Sequence, residues 1–249
     1  MSTSINLKMK KIAFILTVTL MVSCNSKLRH TETSQVSETA HKHAQEEPSD
    51  HSTANEYMRQ SSMEDLIRRF ESPERDAYQQ PQKVLEHLGE LKGKTVMDIG
   101  AGSGYFSVKL AEAGARVIAA DVDDEFQEFI QRRIRENDLS NIETRKIPYD
   151  DPGLRKEEVD MVLMVNSYHH IENRPDYFAK VRKGMKPDGE LVIIDYFKFE
   201  IPVGPPVNHK VSMDVVVNEL KEAGFTAFVV NVELLEYQFV IRAKFTAFK

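Results

Sequence analysis

Three stretches of this 249-residue sequence predict an α/β fold, a mostly parallel sheet with helices on both faces. Val96–Ile99 is a short apolar run interrupted only by Asp98; it breaks at Gly100, Gly102 and Gly104 and restarts as a helical pattern from Tyr105 to Ala113. A second apolar run, Arg116–Asp121, follows about twenty residues later and ends in a carboxylate. Val159–Val165 is almost wholly apolar, as expected of a strand covered on both faces.

The first two stretches belong together. A strand that feeds a glycine turn and opens a helix brings backbone N–H groups and a positive helix end against a ligand. A carboxylate closing the next strand is where a nucleoside-binding sheet holds ribose hydroxyls. The glycine spacing separates ligand classes. A dinucleotide fingerprint needs glycine at its sixth position, and Tyr105 stands there. Asp98-Ile-Gly-Ala-Gly-Ser-Gly104 carries a carboxylate ahead of its first glycine, which a pyrophosphate would repel and a cationic sulfonium tolerates.

This stretch resembles motif I of the class I S-adenosylmethionine-dependent methyltransferases, and the resemblance extends from about Glu71 to the end of the chain. It implies a Rossmann-like, seven-stranded, mostly parallel sheet with an antiparallel last strand, and S-adenosylmethionine as cofactor. By the same resemblance, Asp98 lies near the amino-acid end of the cofactor and Gly100, Ala101, Gly102 and Gly104 let the backbone approach it. Asp121 takes the ribose hydroxyls, Val122 lies against adenine, and Asn166 offers its carbonyl to the amino group. Asp150 and Asp151, just before Leu154, stand where the family reads the adenine edge; as residues alone they read equally as an exposed acidic turn.

Composition narrows the partners. The formal charge is −6, aromatics are 8% with no Trp, and no basic run interleaved with aromatics appears, so the expected acceptor is a small molecule and no nucleic acid is expected. One cysteine excludes an internal disulfide and a cysteine-based zinc site, and no metal-ligating pattern stands out. His41-Lys-His43 reads as part of a solvated linker.

In chain order, Lys8, Lys10 and Lys11 precede the apolar run Ile12–Val22, too short to span a bilayer and suited to a signal-peptide core, with Met1 or Met9 as the start. Met21-Val-Ser-Cys24 resembles the lipobox of bacterial lipoproteins. That implies cleavage after residue 23, lipidation of Cys24, and a protein tethered in the cell envelope. Without such use of the signal, the chain stays cytoplasmic. Residues 24–60, rich in Ser, Thr, Glu and His, read as a disordered tether. Residues 61–249 read as the catalytic domain, with a helical cap over 61–92 in which Met63, Leu66, Ile67 and Phe70 share one helix face. Arg75, Tyr78 and Gln79 are candidate lid contacts; a capping helix on the sheet edge is the alternative.

Beyond the third strand, Asn141–Ile147, and the fourth, Val159–Val165, the sequence predicts a helix over Arg174–Lys183, a turn over Gly184–Gly189 and a strand over Glu190–Asp195. Val203-Gly-Pro-Pro206 reads as a rigid loop edging the pocket. A helix over Ser212–Ala223 and strands over Phe225–Leu234 and Tyr237–Phe245 complete the chain.

The fourth strand ends in Asn166-Ser-Tyr-His-His170, and ligands of open α/β sheets lie beyond the carboxyl ends of the strands. His169 and His170 have the ordinary pKa of a general base, with Tyr168 expected to shape the acceptor pocket. A histidine bonded to backbone and packed under the next helix is the competing reading. Two functions follow: methyl transfer to a small acceptor, or a non-catalytic lipoprotein that holds S-adenosyl ligands.

Overall fold

The computed structural model describes residues 50–246. The expected signal segment, Cys24 and the tether as far as residue 49 lie outside the described residues. From Asp50 the tether reading gives way to a helix, α1 (Asp50–Arg59). Its sequence is polar and shows no apolar period; Ala54 is buried and Asn55 bonds to a distant turn, so tertiary contact holds it. No helix among the described residues is long and apolar enough to cross a membrane.

The cap continues with α2 (Met63–Phe70), α3 (Pro73–Gln79) and α4 (Pro81–Leu88). Ser62 and Ser72 accept the backbone N–H of Asp65 and Arg75, satisfying donors that a helix start leaves open. Pro73 and Pro81 occupy first-turn positions, where their missing N–H costs nothing.

The sheet then unfolds in α/β alternation: β1 (Thr95–Ile99), α5 (Tyr105–Glu112), β2 (Arg116–Asp121), α6 (Asp124–Glu136), β3 (Ile142–Lys146) and β4 (Val159–Val165). After these come α7 (Arg174–Gly184), β5 (Met185–Tyr196), α8 (Met213–Glu222), β6 (Ala227–Asn231) and β7 (Gln238–Lys244). Strand order is β3-β2-β1-β4-β5-β7-β6. Strands β1 to β5 pair in parallel, and β7 runs antiparallel to both β5 and β6. This is the expected Rossmann-like arrangement with its reversed last strand.

One boundary differs from expectation. Of the predicted turn at Gly184–Gly189, Gly184 ends α7 and the rest lies within the run of β5, where the register on β4 jumps from Val159↔Met185 to Met161↔Glu190. The additional residues form a bulge, so turn-forming Pro187 and Gly189 bend a strand instead of ending it. Apolar clusters cover both faces of the sheet: Met97, Ile99, Val162 and Ile193 pack toward α7 and α8, while Val96, Val117, Leu163 and Val192 pack toward α4 and α5. Two-sided burial explains why β4 reads as an apolar run broken only by Asp160.

Candidate active site

At the carboxyl ends of β1, β2 and β4 lies a cavity of about 600 Å³, within the range of small-ligand sites. Its sheet side is made by backbone. Gly100 and Ala101 both donate to the Ala120 carbonyl, at 2.9 and 3.1 Å, and the Gly102 N–H donates to the Asp121 carboxylate at 2.8 Å. The turn after β1 is thereby tied to the end of β2. Gly100 has φ +75°, and a Cβ there would stand 2.6 Å from the Cβ of Ser167, so neither the conformation nor the space admits a side chain.

Asp121 is nearly buried and also accepts the Asp123 N–H at 3.0 Å. Burial pushes its carboxyl up to about 6, against the opposing pull of those backbone donors. Asp98, 3% exposed, is likewise pushed up to about 6 by burial. Its carboxylate receives the Ser107 hydroxyl at 2.7 Å, and Arg75 acts on it through space.

Beyond β4 the turn Tyr168–His170 carries the titratable groups. The His169 ring Nδ1 lies 3.0 Å from both carboxylate oxygens of Asp195, at the end of β5, and the His169 backbone N–H donates to the same carboxylate at 3.3 Å. Both residues are almost fully buried. A carboxylate accepts, so this contact places a proton on Nδ1, and in the neutral form of the ring the lone pair is then on Nε2. His170 is held from α1: its Nδ1 bonds Asn55 Oδ1 at 3.0 Å, and Asn55 Nδ2 donates to the His170 carbonyl at 3.2 Å. The two imidazoles lie against each other, tilted by 38°, with centroids 4.3 Å apart. Each adjacent histidine therefore has a different partner, a carboxylate or an amide.

Several expected residues meet at this cavity: Gly100, Ala101, Gly102, Asp121, Val122, Asn166, His169 and His170 line it, as do Arg75 and Tyr78 of the cap and Gly204 of the expected rigid loop. Gly204 lies flat on Tyr196, where a Cβ would come within 2.8 Å of the ring.

Others stand elsewhere. Tyr168 is fully buried, stacked on Phe178 at 5.0 Å with its hydroxyl donating to Glu219 at 2.6 Å; its side chain belongs to the core under α8 and shapes no pocket. Asp150 and Asp151 are outside the lining. Asp151 pairs with Lys180 at 3.2 Å and accepts the Gly153 N–H, while the Asp150 carbonyl accepts from the same lysine. Ile147, Pro148 and Tyr149 form that wall instead. Asp98 faces Ser107 and supports the turn from behind. Gly104, at the start of α5, faces Ile130 of α6. Gln79 is buried beneath the wall and accepts from Asn166 Nδ2 at 3.0 Å and from Gln238 at 3.4 Å.

Sequence reasoning missed Asp195, Tyr177 and Tyr196. Asp195 ends the predicted fifth strand just as Asp121 ends the second, and that parallel was the available signal. Tyr177 lines the cavity from α7 with a buried hydroxyl that has no hydrogen-bond partner among the described residues. Tyr196 also lines the cavity, with its hydroxyl 3.3 Å from that of Tyr78.

Residues 97–193 match the family described as a methyltransferase domain. The matched stretch takes in the end of β1, the glycine turn, Asp121 and the His169–His170 turn. A solved S-adenosylmethionine-dependent methyltransferase from Aquifex aeolicus has the same fold, with TM-score 0.68 and 28% identity over 74% of this chain and 98% of that one. A ubiquinone biosynthesis O-methyltransferase of Acinetobacter baylyi is 28% identical over 109 residues, 43% of this chain and 46% of that protein. A tRNA U34 carboxymethyltransferase of Pseudoalteromonas translucida is 31% identical over 113 residues, 45% of this chain and 34% of the relative. The chain thus matches less than half the length of these curated relatives.

Proposed function

We propose that this chain is an S-adenosylmethionine-dependent methyltransferase acting on a small-molecule acceptor. The observation that carries the proposal is the meeting, in one cavity, of the Gly100–Gly102 turn, Asp121 and the His169–Asp195 pair. The groups present fit the cofactor. Asp121 accepts ribose hydroxyls, Val122, Phe126 and Ile147 offer apolar walls to adenine, Tyr177 has an unpartnered buried hydroxyl to give, and Arg75 suits the methionyl carboxylate.

When bound, S-adenosylmethionine supplies an electrophilic methyl group on a good leaving group, so the protein's main task is alignment. His169 takes the acceptor's proton on Nε2, and Asp195 holds the ring and stabilises the cation that forms. His170, fixed by Asn55, borders the acceptor. The A. baylyi relative supports methyl transfer to oxygen. The P. translucida relative brings tRNA within the range of acceptors, and the chain's net charge of −6 favours the small molecule over a polyanion. Nothing favours the non-catalytic reading over the catalytic one.

Calorimetric titration with S-adenosylmethionine, S-adenosylhomocysteine and NAD tests the cofactor. Binding of both S-adenosyl compounds and not NAD is expected; no binding of either would end the proposal. We further propose, from Met21-Val-Ser-Cys24, that a lipid on Cys24 tethers the chain in a bacterial envelope. The Cys24→Ser variant should leave the membrane fraction, and its retention there would remove the anchor.

A further inference from the structure

The cavity is electrically lopsided. Asp121, Asp123 and Glu125 line it on one side, and Arg59, Arg69 and Arg75 line it from the cap. Several other guanidinium groups of the fold meet carboxylates: Arg133 with Glu71 at 2.6 Å, Arg145 with Glu158 at 2.9 Å, Arg174 with Glu219 at 2.7 Å. None of the three cavity arginines has a carboxylate within ion-pair distance among the described residues. Arg59 donates to the Tyr149 hydroxyl at 3.2 Å, and Glu56 and Glu172 act on it only through space. Arg69 donates to the Ser61 hydroxyl at 3.4 Å. Arg75 donates to the Phe70 carbonyl at 3.1 Å, stands 4.1 Å from the Tyr105 ring centroid, and keeps a buried Nε without a partner.

In a chain with formal charge −6, acidic side chains are plentiful, yet these guanidinium groups are left with neutral partners around one cavity. Arginine forks of this type suit planar oxyanions. The cofactor of the proposed function, on which this inference rests, brings one carboxylate, and Arg75 beside Asp98 accounts for it. Arg59 and Arg69 remain, on the cap helices that also present Met58, Met63 and Leu66 to the cavity.

We propose that the methyl acceptor is a small aromatic hydroxy acid. Its carboxylate sits at Arg59 and Arg69, its ring against the methionines and Leu66, and its ring hydroxyl at His169. In the transfer, the methyl carbon leaves sulfur for the phenolic oxygen. The electron pair of the broken C–S bond stays on sulfur, which becomes a neutral thioether, and the phenolic proton goes to His169 Nε2.

The test uses protein saturated with S-adenosylhomocysteine, titrated with 3,4-dihydroxybenzoate and with catechol, which keeps the ring and hydroxyls and lacks the carboxylate. The acid should bind about tenfold or more tighter than catechol, an advantage that shrinks with added salt. The double variant Arg59→Gln/Arg69→Gln should erase the advantage while leaving S-adenosylhomocysteine affinity unchanged. Equal binding of the two phenols, no binding of the acid, or an undiminished preference in the variant would overturn the inference alone. Failure of the wild-type chain to bind S-adenosylhomocysteine would overturn the cofactor reading and this one with it.

Discussion

On the sheet side of the cavity, backbone does the shaping; on the cap side, side chains from distant parts of the chain do it. The Gly100–Gly102 turn is held by N–H groups donating to Ala120 and Asp121, in the register set by β1 and β2. The cap is held by Asn55 on His170, Arg59 on Tyr149 and Tyr78 on Tyr196, each reaching across many residues. A backbone-built wall tolerates few substitutions and binds one ligand. A wall built from side chains can be rewritten residue by residue to suit a different one. On the proposed reading, the sheet side serves mainly the cofactor and the cap side mainly the acceptor, with Arg75 of the cap reaching the cofactor as well.

The sharpest break between the sides should come from His169→Ala. Turnover is expected to fall by roughly 10²–10⁴-fold on an acceptor that must lose a proton, with S-adenosylhomocysteine affinity preserved in a titration. Full turnover would return the His169–Asp195 pair to a structural role. Gly100→Ala should act oppositely, through the sheet side. A side chain forced into positive φ and against Ser167 should cost about 3 kcal/mol of stability and abolish cofactor binding, read by thermal unfolding and calorimetry.

Asp98→Asn sharpens the contrast by pH. A folded-state pKa raised from 3.8 to about 6 means that Asp98's contribution to stability is present below pH 3.8 and lost as pH rises through 6. The variant keeps an acceptor for Ser107 and carries no buried charge. It should match the wild type near pH 4 and exceed it by up to about 3 kcal/mol at pH 8; a constant difference across that range would mean that Asp98 is not the group titrating. The smallest effect is expected on the cap side. Asn55→Ala removes one clasp on His170 and should raise acceptor KM a few-fold, by about 1 kcal/mol, with cofactor affinity unmoved. A fall in cofactor affinity would show that the two sides are coupled.

The same contrast governs what the sequence disclosed. Asp121 and the glycine turn were legible because a strand end and a tight turn need particular residue types at fixed local spacing, whereas the sheet arrangement with its reversed last strand came from the family resemblance. Tyr168 misled because it neighbours His169 in sequence, while the tight turn sends its side chain into the core to meet Glu219. Asp150 and Asp151 stand outside the cavity lining because the Asp151 side chain is held by Lys180 and the local turn, and Asp150 meets the same lysine through its backbone carbonyl. α1 carried no periodic signal at all. Its place is decided by Asn55 and Ala54 meeting a turn more than a hundred residues away, and contacts of that range leave no local pattern.

The position of β7 bears on how the chain comes to be folded. Among the described strands it comes last in the chain, yet it lies inside the sheet, between β5 and β6. Until residues 238–244 have emerged from the ribosome, β5 keeps an open, apolar edge and β6 has no partner at all. The sheet therefore cannot close progressively during synthesis, and its final pairing is also its most non-local on the β5 side. A chain cut short by a dozen residues would retain the glycine turn, Asp121 and both histidines, and would present an unprotected strand edge to its neighbours.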